Sequence, residues 1–587
     1  MKPPTNRLKF LVAGALLFLV SQRTSIAGSA TWATNPTSGD WNTAANWVPN
    51  TVPNSTTDIA TFDVSHVTNI LVNFGSNINV DSVVFNLGAP AYTITLDVSN
   101  LKPNGAGFIN NSGVIQSVII PENGDLAGAM FFYNSASAGN MVNFTTVGGD
   151  FFFEDASSAG SATFDVTSGQ FQAFVDFFDD STAGDATINV SAAAVVEFFD
   201  NSTGANSTLN LSTAAFVTFD SSTNAEHMTC TCIGGAGVFS TQMDFQGLSS
   251  AGEGIFTTIG GSTSGEHGSF ILFDDAATAD NATFVINGGM GRGLSTTALL
   301  FLDTSTAANA NITANGGVGG SKGGMVTFED ASTGGTATIA LNGNAKLDIS
   351  THNPPGVAIG SLAGAGSVLL GANTLTIGSN NQSTTFSGVI QGTGGMSKTG
   401  TGALTLSGAN SYSGGTTVSA GILNVSNTTG SGTGTGPVNV NTGTLGGRGI
   451  IAGATTIGTG SGAGASLAPA LGTNKQATLT IQSALTFNSD ATYTCTFKAK
   501  KNKAKTDQVV ANGVTINGGA SVNLRGQTQG SLKQGLRLTL ISNTSANPIS
   551  GTFSNLPDGG IVTINGNNFQ ASYEGGDGND LTLTLVP

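Results

Sequence analysis

Residues 152–166 read FFEDASSAGSATFDV, and the fold turns on how the phenylalanines in this stretch recur. Taking Phe153 as an anchor, comparable positions are Phe132, Phe178, Phe199, Phe219, Phe245, Phe273, Phe301 and Phe328, spaced 20–28 residues apart. Most anchors are followed by one or two acids or Asn and then by small polar residues. An Ala-Thr-like step leads into a second short segment. There the apolar residues alternate: Phe164 and Val166, Ile188 and Val190, Leu209 and Leu211, Phe284 and Ile286, Ile339 and Leu341. Alternation of period two marks a half-buried strand. A unit this short cannot bury its apolar face alone, but stacked on copies of itself it can. The repeat therefore predicts an all-β chain, an elongated right-handed parallel β-helix or β-solenoid with a phenylalanine ladder inside.

Composition agrees. Of 587 residues, 83 are Gly and only 9% are charged, but 34 Phe with abundant Val, Ile and Thr supply a core that disordered chains lack. Gly, Thr and Val are poor helix formers, so long helices are not expected. Residues 1–27 read as a secretory signal peptide: Lys2, Arg7 and Lys9 precede an apolar run from Phe10 to Val20, with Ser25 and Ala27 at the cleavage site. Removing them leaves 15 basic against 35 acidic residues, which argues against nucleic acid and anionic membrane as partners. No later segment reads as a membrane-spanning helix, so an exported, soluble chain is expected, extracellular or on the outer cell surface.

The expected organisation is a signal peptide at 1–27, a Trp-rich capping region at 28–125, Phe-anchored repeats at 126–350, a glycine-rich region at 351–430 and further coils with a terminal cap at 431–587. Trp32, Trp41 and Trp47 are expected to plug the first coil, with a carbohydrate-stacking platform as the alternative.

Within the fourth region, Phe386 to Val425 closely resembles the autotransporter-associated β-strand repeat. The matching residues are Phe386, Gly388, Ile390, Gly392, Lys398, Gly400, Gly402, Leu404, Leu406, Gly408, Asn410, Tyr412, Gly414, Gly421, Leu423 and Val425. Met396 stands where the pattern has leucine, and Gly415 is an extra glycine. The Trp-rich start and the ending YEGGDGNDLTLTL also look like the ends of such proteins. The resemblance implies a surface or secreted passenger domain whose β-helix holds a shape, a structural label without one defined activity. Ile390, Leu404, Leu406, Leu423 and Val425 are expected inside, glycines at corners or close coil contacts, and Asn410 in an amide ladder. Autotransporters end in a membrane β-barrel. No such C-terminal region is evident here, so export by another route, or release, is expected.

The candidate chemistry is sparse. Gly319-Gly320-Ser321-Lys322-Gly323 fits a serine-hydrolase pattern without the helix that an elbow needs. His227, Cys230 and Cys232 have a metal-like spacing, but aligned to the repeat both cysteines fall on inward core positions. There they are expected as thiols, or as a strained disulfide. Asp155, Asp180, Asp275 and Asp330, with Asp200 and Asp220 nearby, suit turns, and a weak Ca²⁺ ladder is the sharper alternative. Gly575 to Leu583 reads as a last turn before the final strand, more than as a calcium nonapeptide. Lys498 to Lys505 holds five lysines, expected as a solvated loop with docking on an anionic polymer as the alternative. Arg292, Arg448 and Arg525 sit alone.

No catalytic, cofactor-binding or metal residues are assigned. The expectation is a non-enzymatic structural or adhesin-like protein, the alternatives being a carbohydrate-binding protein or a β-helical polysaccharide lyase or hydrolase. The partner classes are an extracellular polysaccharide or a surface component, without nucleic acid or membrane insertion.

Overall fold

A computed structural model describes residues 28–587, apart from 125, 236–238, 262–266, 291–295 and 472–474. The signal peptide and Arg292 lie outside the described residues. Among the described residues nearly every element is a short strand, and the one helical piece is a 3-10 turn, Ala44–Asn46.

The chain winds as a parallel β-solenoid with three faces per coil. The first, the Phe face, includes strands Ala129–Phe132, Asp150–Phe153, Phe174–Phe177, Val195–Phe198, Phe216–Phe219, Thr241–Phe245, Ser269–Phe273, Ala298–Phe301 and Met325–Phe328. Each pairs in parallel with the next. The second, the bridge face, is a column of single-residue parallel bridges running Ser137, Ser158, Thr182, Thr203, Asn224, Ser250, Thr278, Thr306 and Thr333. The third, the Thr face, includes strands Ser161–Thr167, Thr187–Ser191, Thr208–Leu211, Thr229–Ile233, Ile255–Ile259 and Thr283–Ile286. Its alternate residues Phe164 and Val166, Ile188 and Val190, Leu209 and Leu211 are buried as the pattern requires. Beyond residue 356 the bridge face widens into full strands, from Thr374–Ile377 and Met396–Lys398 to Val514–Ile516.

Inside the Phe face, nine rings stack: Phe132, Phe153, Phe177, Phe198, Phe219, Phe245, Phe273, Phe301 and Phe328. Successive ring centroids lie 4.4–5.0 Å apart, and every ring is fully buried. Two anchors are thereby corrected. Phe177 and Phe198 hold the ladder, whereas Phe178 and Phe199 lie one residue on, half-buried, and stack on each other outside at 5.1 Å. Side chains alternate across a strand, so a one-residue slip exchanges inside for outside.

At the N-terminal end Trp32, Trp41 and Trp47 are buried and pack around Phe62, 5.6–6.0 Å from its centroid. Their indole N–H groups donate to the carbonyls of Val67, Pro53 and Trp41. They close the first coil, and the carbohydrate-platform alternative fails because no ring face reaches solvent.

In the glycine-rich stretch, Gly366, Gly388 and Gly408 stack on successive coils. A Cβ on Gly388 would overlap the Gly366 carbonyl oxygen, and one on Gly408 that of Gly388. Close backbone approach, rather than chain freedom, requires glycine there. Ile390, Leu404, Leu406, Leu423 and Val425 are buried, as expected. Asn410 does not join an amide ladder. Its Oδ1 accepts from Ile390 N–H at 2.8 Å and its Nδ2 donates to Gly432 O at 2.6 Å, bridging the coils on either side. A side-chain amide has one acceptor and one donor side to offer, and here both meet backbone. The amide ladder lies elsewhere, Asn342 donating to Asn315 at 2.9 Å and Asn315 to Asn287 at 2.8 Å.

The C-terminal end abandons the parallel pattern. Strand Asp580–Val586 runs antiparallel to Arg537–Asn543 and to Asn567–Gly575, which pairs antiparallel with Ile561–Ile564. The GGDGNDLTL stretch supplies the turn before that last strand.

Candidate functional site

The αL turn after each Phe-face strand explains the acidic residues. Asn134, Asp155, Asp179, Asp200, Ser221, Gly247, Asp275, Asp303 and Asp330 occupy the same corner of nine coils, all with φ between 48° and 64°. Asn, Asp and Gly tolerate that region best. Asp179, not Asp180, is the member of this column, following the shift of Phe177. Four of the carboxylates also bond along the stack. Asn134 N–H donates to Asp155 at 2.8 Å, Asp155 N–H to Asp179 at 3.1 Å, Asp179 N–H to Asp200 at 3.3 Å, and Gly247 N–H to Asp275 at 3.2 Å. These backbone donors offset the repulsion between carboxylates stacked on successive coils. Farther on, Asp274, Asp275 and Asp303 bring carboxylate oxygens within 4.8 Å of one another. Mostly exposed oxygens of this kind fit at most a weak, hydrated Ca²⁺ site, since Ca²⁺ takes six to eight oxygens.

The outer surface of the Phe face carries a feature that the sequence alone did not disclose. Strand positions facing outward hold Phe131, Phe152, Phe174, Phe216, Phe270 and Leu272 beside Asp150, Asp176, Glu197 and Asp244. Phe131 and Phe152 stack at 4.8 Å, and Tyr133 lies 6.1 Å from Phe131. Phe171 (41% exposed) and Phe239 (62%) stand on flanking loops. The outer Thr face differs, carrying Thr163, Thr187, Thr208 and Thr229 with Asp165, Asn189 and Asn210. The aromatic surroundings desolvate the carboxylates. Burial pushes Asp150 up to about 6 and Asp244 up to about 6. Both are tied down locally: Phe174 N–H donates to Asp150 at 3.1 Å, and Gln242 Nε2 to both oxygens of Asp244 at 2.7 and 2.8 Å. Asp176 and Glu197 pair in register on adjacent strands. The result is an apolar, weakly acidic band along one side of the rod. Its outward phenylalanines had the same local sequence as core ones, so only the register separates them.

The remaining candidates fall as follows. Cys230 and Cys232 are buried free thiols, Sγ atoms 3.7 Å apart, in register with Leu209 and Leu211. Burial pushes the Cys230 thiol well above its usual range. His227 faces solvent and meets Glu253 at 3.6 Å, so the proposed metal triad does not assemble. Ser321 Oγ is buried without a hydrogen-bond partner among the described residues. Cys495 is buried and free. Lys498 to Lys505 is a β-hairpin instead of a loop, with strands Ala491–Lys500 and Lys503–Thr506 antiparallel. Arg525 lies on the neighbouring strand, paired with Thr496.

A buried charge belongs to the glycine-rich repeat. Lys398 is 1% exposed, and its ammonium donates to the carbonyls of Thr399, Gly400 at 3.0 Å and Ala420 at 3.5 Å. Burial lowers its pKa.

Comparison with known proteins bears on this same segment. Residues 396–425 match the passenger-associated-transport-repeat family. Together with the parallel solenoid, the repeat makes this an autotransporter-passenger-like chain. A stretch of 101 residues is 42% identical to the adhesin BmaC autotransporter of Brucella suis biovar 1 (strain 1330), covering 16% of this chain and 3% of that protein. The chain therefore spans a small fraction of that relative. The Haemophilus influenzae Hap adhesin aligns over 90% of this chain and 64% of its own at 11% identity, with a TM-score of 0.27. At that score the fold rests on the strand register described above.

Proposed function

We propose that this chain is an exported, surface-displayed or released adhesive rod without catalytic activity. The observation that carries the reading is the apolar band on the outer Phe face. A band of half-buried outward aromatic rings, flanked by the exposed Phe171 and Phe239, offers an apolar interaction surface, and a stack of coils presents it at repeated intervals. The transport repeat and the matched segment of a Brucella adhesin support export and adhesion. Two carboxylates of the band are tied to their own or neighbouring strands, Asp150 to Phe174 N–H and Asp244 to Gln242, which favours structure over acid–base work there. No cofactor is required, and calcium at the Asp274–Asp303 corner is at most an accessory. The partner is an extracellular polysaccharide or another surface component.

The test uses the purified chain with a panel of polysaccharides, following both retention and polymer length. Retention without shortening is expected. Shortened polymer would overturn the non-enzymatic reading, and failure to be retained on any polysaccharide or on intact cells would overturn adhesion.

A further inference from the structure

The hairpin near the C-terminal end carries an inference of its own. In strands Ala491–Lys500 and Lys503–Thr506, Lys498 lies directly opposite Lys505, and Lys500 opposite Lys503. Residues two apart on a strand share a face, so all four ammonium groups project from one side. The other side packs inward, with Phe497 and Ala499 buried and Phe497 5.5 Å from Phe569. Like charges directly opposite destabilise a ribbon. None of the four lysines forms an ion pair among the described residues.

The surroundings are equally one-sided. Lys498, Lys500, Lys501, Lys503, Lys505, Arg525, Lys533 and Arg537 fall within forty residues of a chain whose net charge is −16. The one acid among them, Asp507, is buried and accepts from Thr496 N–H at 2.7 Å, Thr496 Oγ1 at 2.8 Å and Ala477 N–H at 3.0 Å. Beside the lysines, in register on the adjacent strand, stand the exposed amides of Gln527 and Gln529. Lysines, Ala499, Ala504 and these glutamines line a recess of about 290 Å³.

We propose that this lysine ribbon is a binding site for an acidic polysaccharide, a chain of uronic acid sugars. This deepens the adhesive reading and rests on it. The four ammonium groups meet successive carboxylates, and Gln527 and Gln529 meet sugar hydroxyls, which an array of bare charges would not recognise. A lipid surface fits less well: the lysines are flanked by Asn502 and glutamines, with no exposed apolar side chain on the ribbon to enter a bilayer.

The experiment is binding of the mature chain to polygalacturonate, with dextran and phosphatidylglycerol vesicles as comparisons, at 50 and 500 mM NaCl. A variant carrying Lys498→Gln, Lys500→Gln, Lys503→Gln and Lys505→Gln is run in parallel. All four side chains are exposed and mutually repelling, so its melting temperature is expected to equal or exceed that of the native chain. Polygalacturonate is expected to bind at low salt and to weaken at high salt. The variant is expected to lose affinity by about 600-fold at 50 mM, from about five-fold for each of the four lysines near an anionic surface. Dextran is expected not to compete. Unchanged polygalacturonate binding by the variant would overturn the ribbon as the site while leaving adhesion standing. Preferential binding to the vesicles, or ribbon-dependent self-association without polygalacturonate binding, would overturn the polysaccharide assignment.

Discussion

Phe198 and Phe199 are adjacent in sequence and chemically identical, yet the solenoid gives them opposite duties. Phe198 is fully buried between Phe177 at 4.7 Å and Phe219 at 4.4 Å, rings within 5° of parallel. Phe199 is half-buried and touches Phe178 at 5.1 Å on the outside. Truncating a buried Phe to Ala costs about 3–5 kcal/mol. Each lost ring stack adds roughly 0.5–1.5 kcal/mol, but those contacts overlap with the burial term, so about 4–6 kcal/mol is expected for Phe198→Ala. Phe199→Ala forfeits partial burial and one stack, about 1 kcal/mol. Because coils interact chiefly with their neighbours, the damage should be local. Native-state hydrogen exchange is the suitable assay, since a long stack need not unfold in one step. Phe198→Ala is expected to accelerate exchange in Phe174–Phe177 and Phe216–Phe219 while leaving Met325–Phe328 protected. Equal destabilisation by the two substitutions, or a larger effect at Phe199, would refute the register and with it the assignment of inside and outside.

Three other outcomes are expected. Asp244 has a folded pKa near 6, above its ordinary value of 3.8. Its contribution to stability is therefore complete below pH 3.8 and is lost as pH rises through 6. Asp244→Asn should raise the melting temperature above pH 7, the gain vanishing near pH 4. Lys398 is shifted the other way for a base, so stability rises as pH climbs from its lowered folded pKa toward 10.5. Lys398→Met should remove that rise and cost about 1–3 kcal/mol at neutral pH by leaving the Thr399, Gly400 and Ala420 carbonyls unmet, read from urea midpoints. Chelation with EDTA is expected to leave the melting temperature within about a degree, because the backbone N–H groups of Asn134, Asp155, Asp179 and Gly247 already meet carboxylates of the Asp corners.

The sequence exposed most of the architecture because one apolar residue type recurs at a fixed place in each coil. The errors of phase share one physical source. The pairs Phe177–Phe178 and Phe198–Phe199 satisfy either phase of a period-two pattern, and only coil-to-coil pairing chooses between them. The same ambiguity moved the turn column from Asp179 to Asp180. Trp32, Trp41 and Trp47 were legible as a plug because an open first coil leaves Phe62 uncovered. Asn410 was misjudged because its partners, Ile390 and Gly432, lie about twenty residues away on either side. The five lysines were visible as a run, but the common face of four of them follows only from the opposition of Lys498 to Lys505 and of Lys500 to Lys503.

The solenoid is a continuous stack of parallel coils. At about 4.8 Å per coil, the 17-strand Phe-face sheet and the coils beyond it give a rod on the order of 100 Å. A compact particle of the same size would have a radius of gyration near 24 Å and a greatest dimension of about 65 Å. Small-angle X-ray scattering of the mature chain at several concentrations measures this directly. A maximum dimension of about 100 Å or more with a rod-like cross-section is expected, and a globular profile near 65 Å would contradict the account.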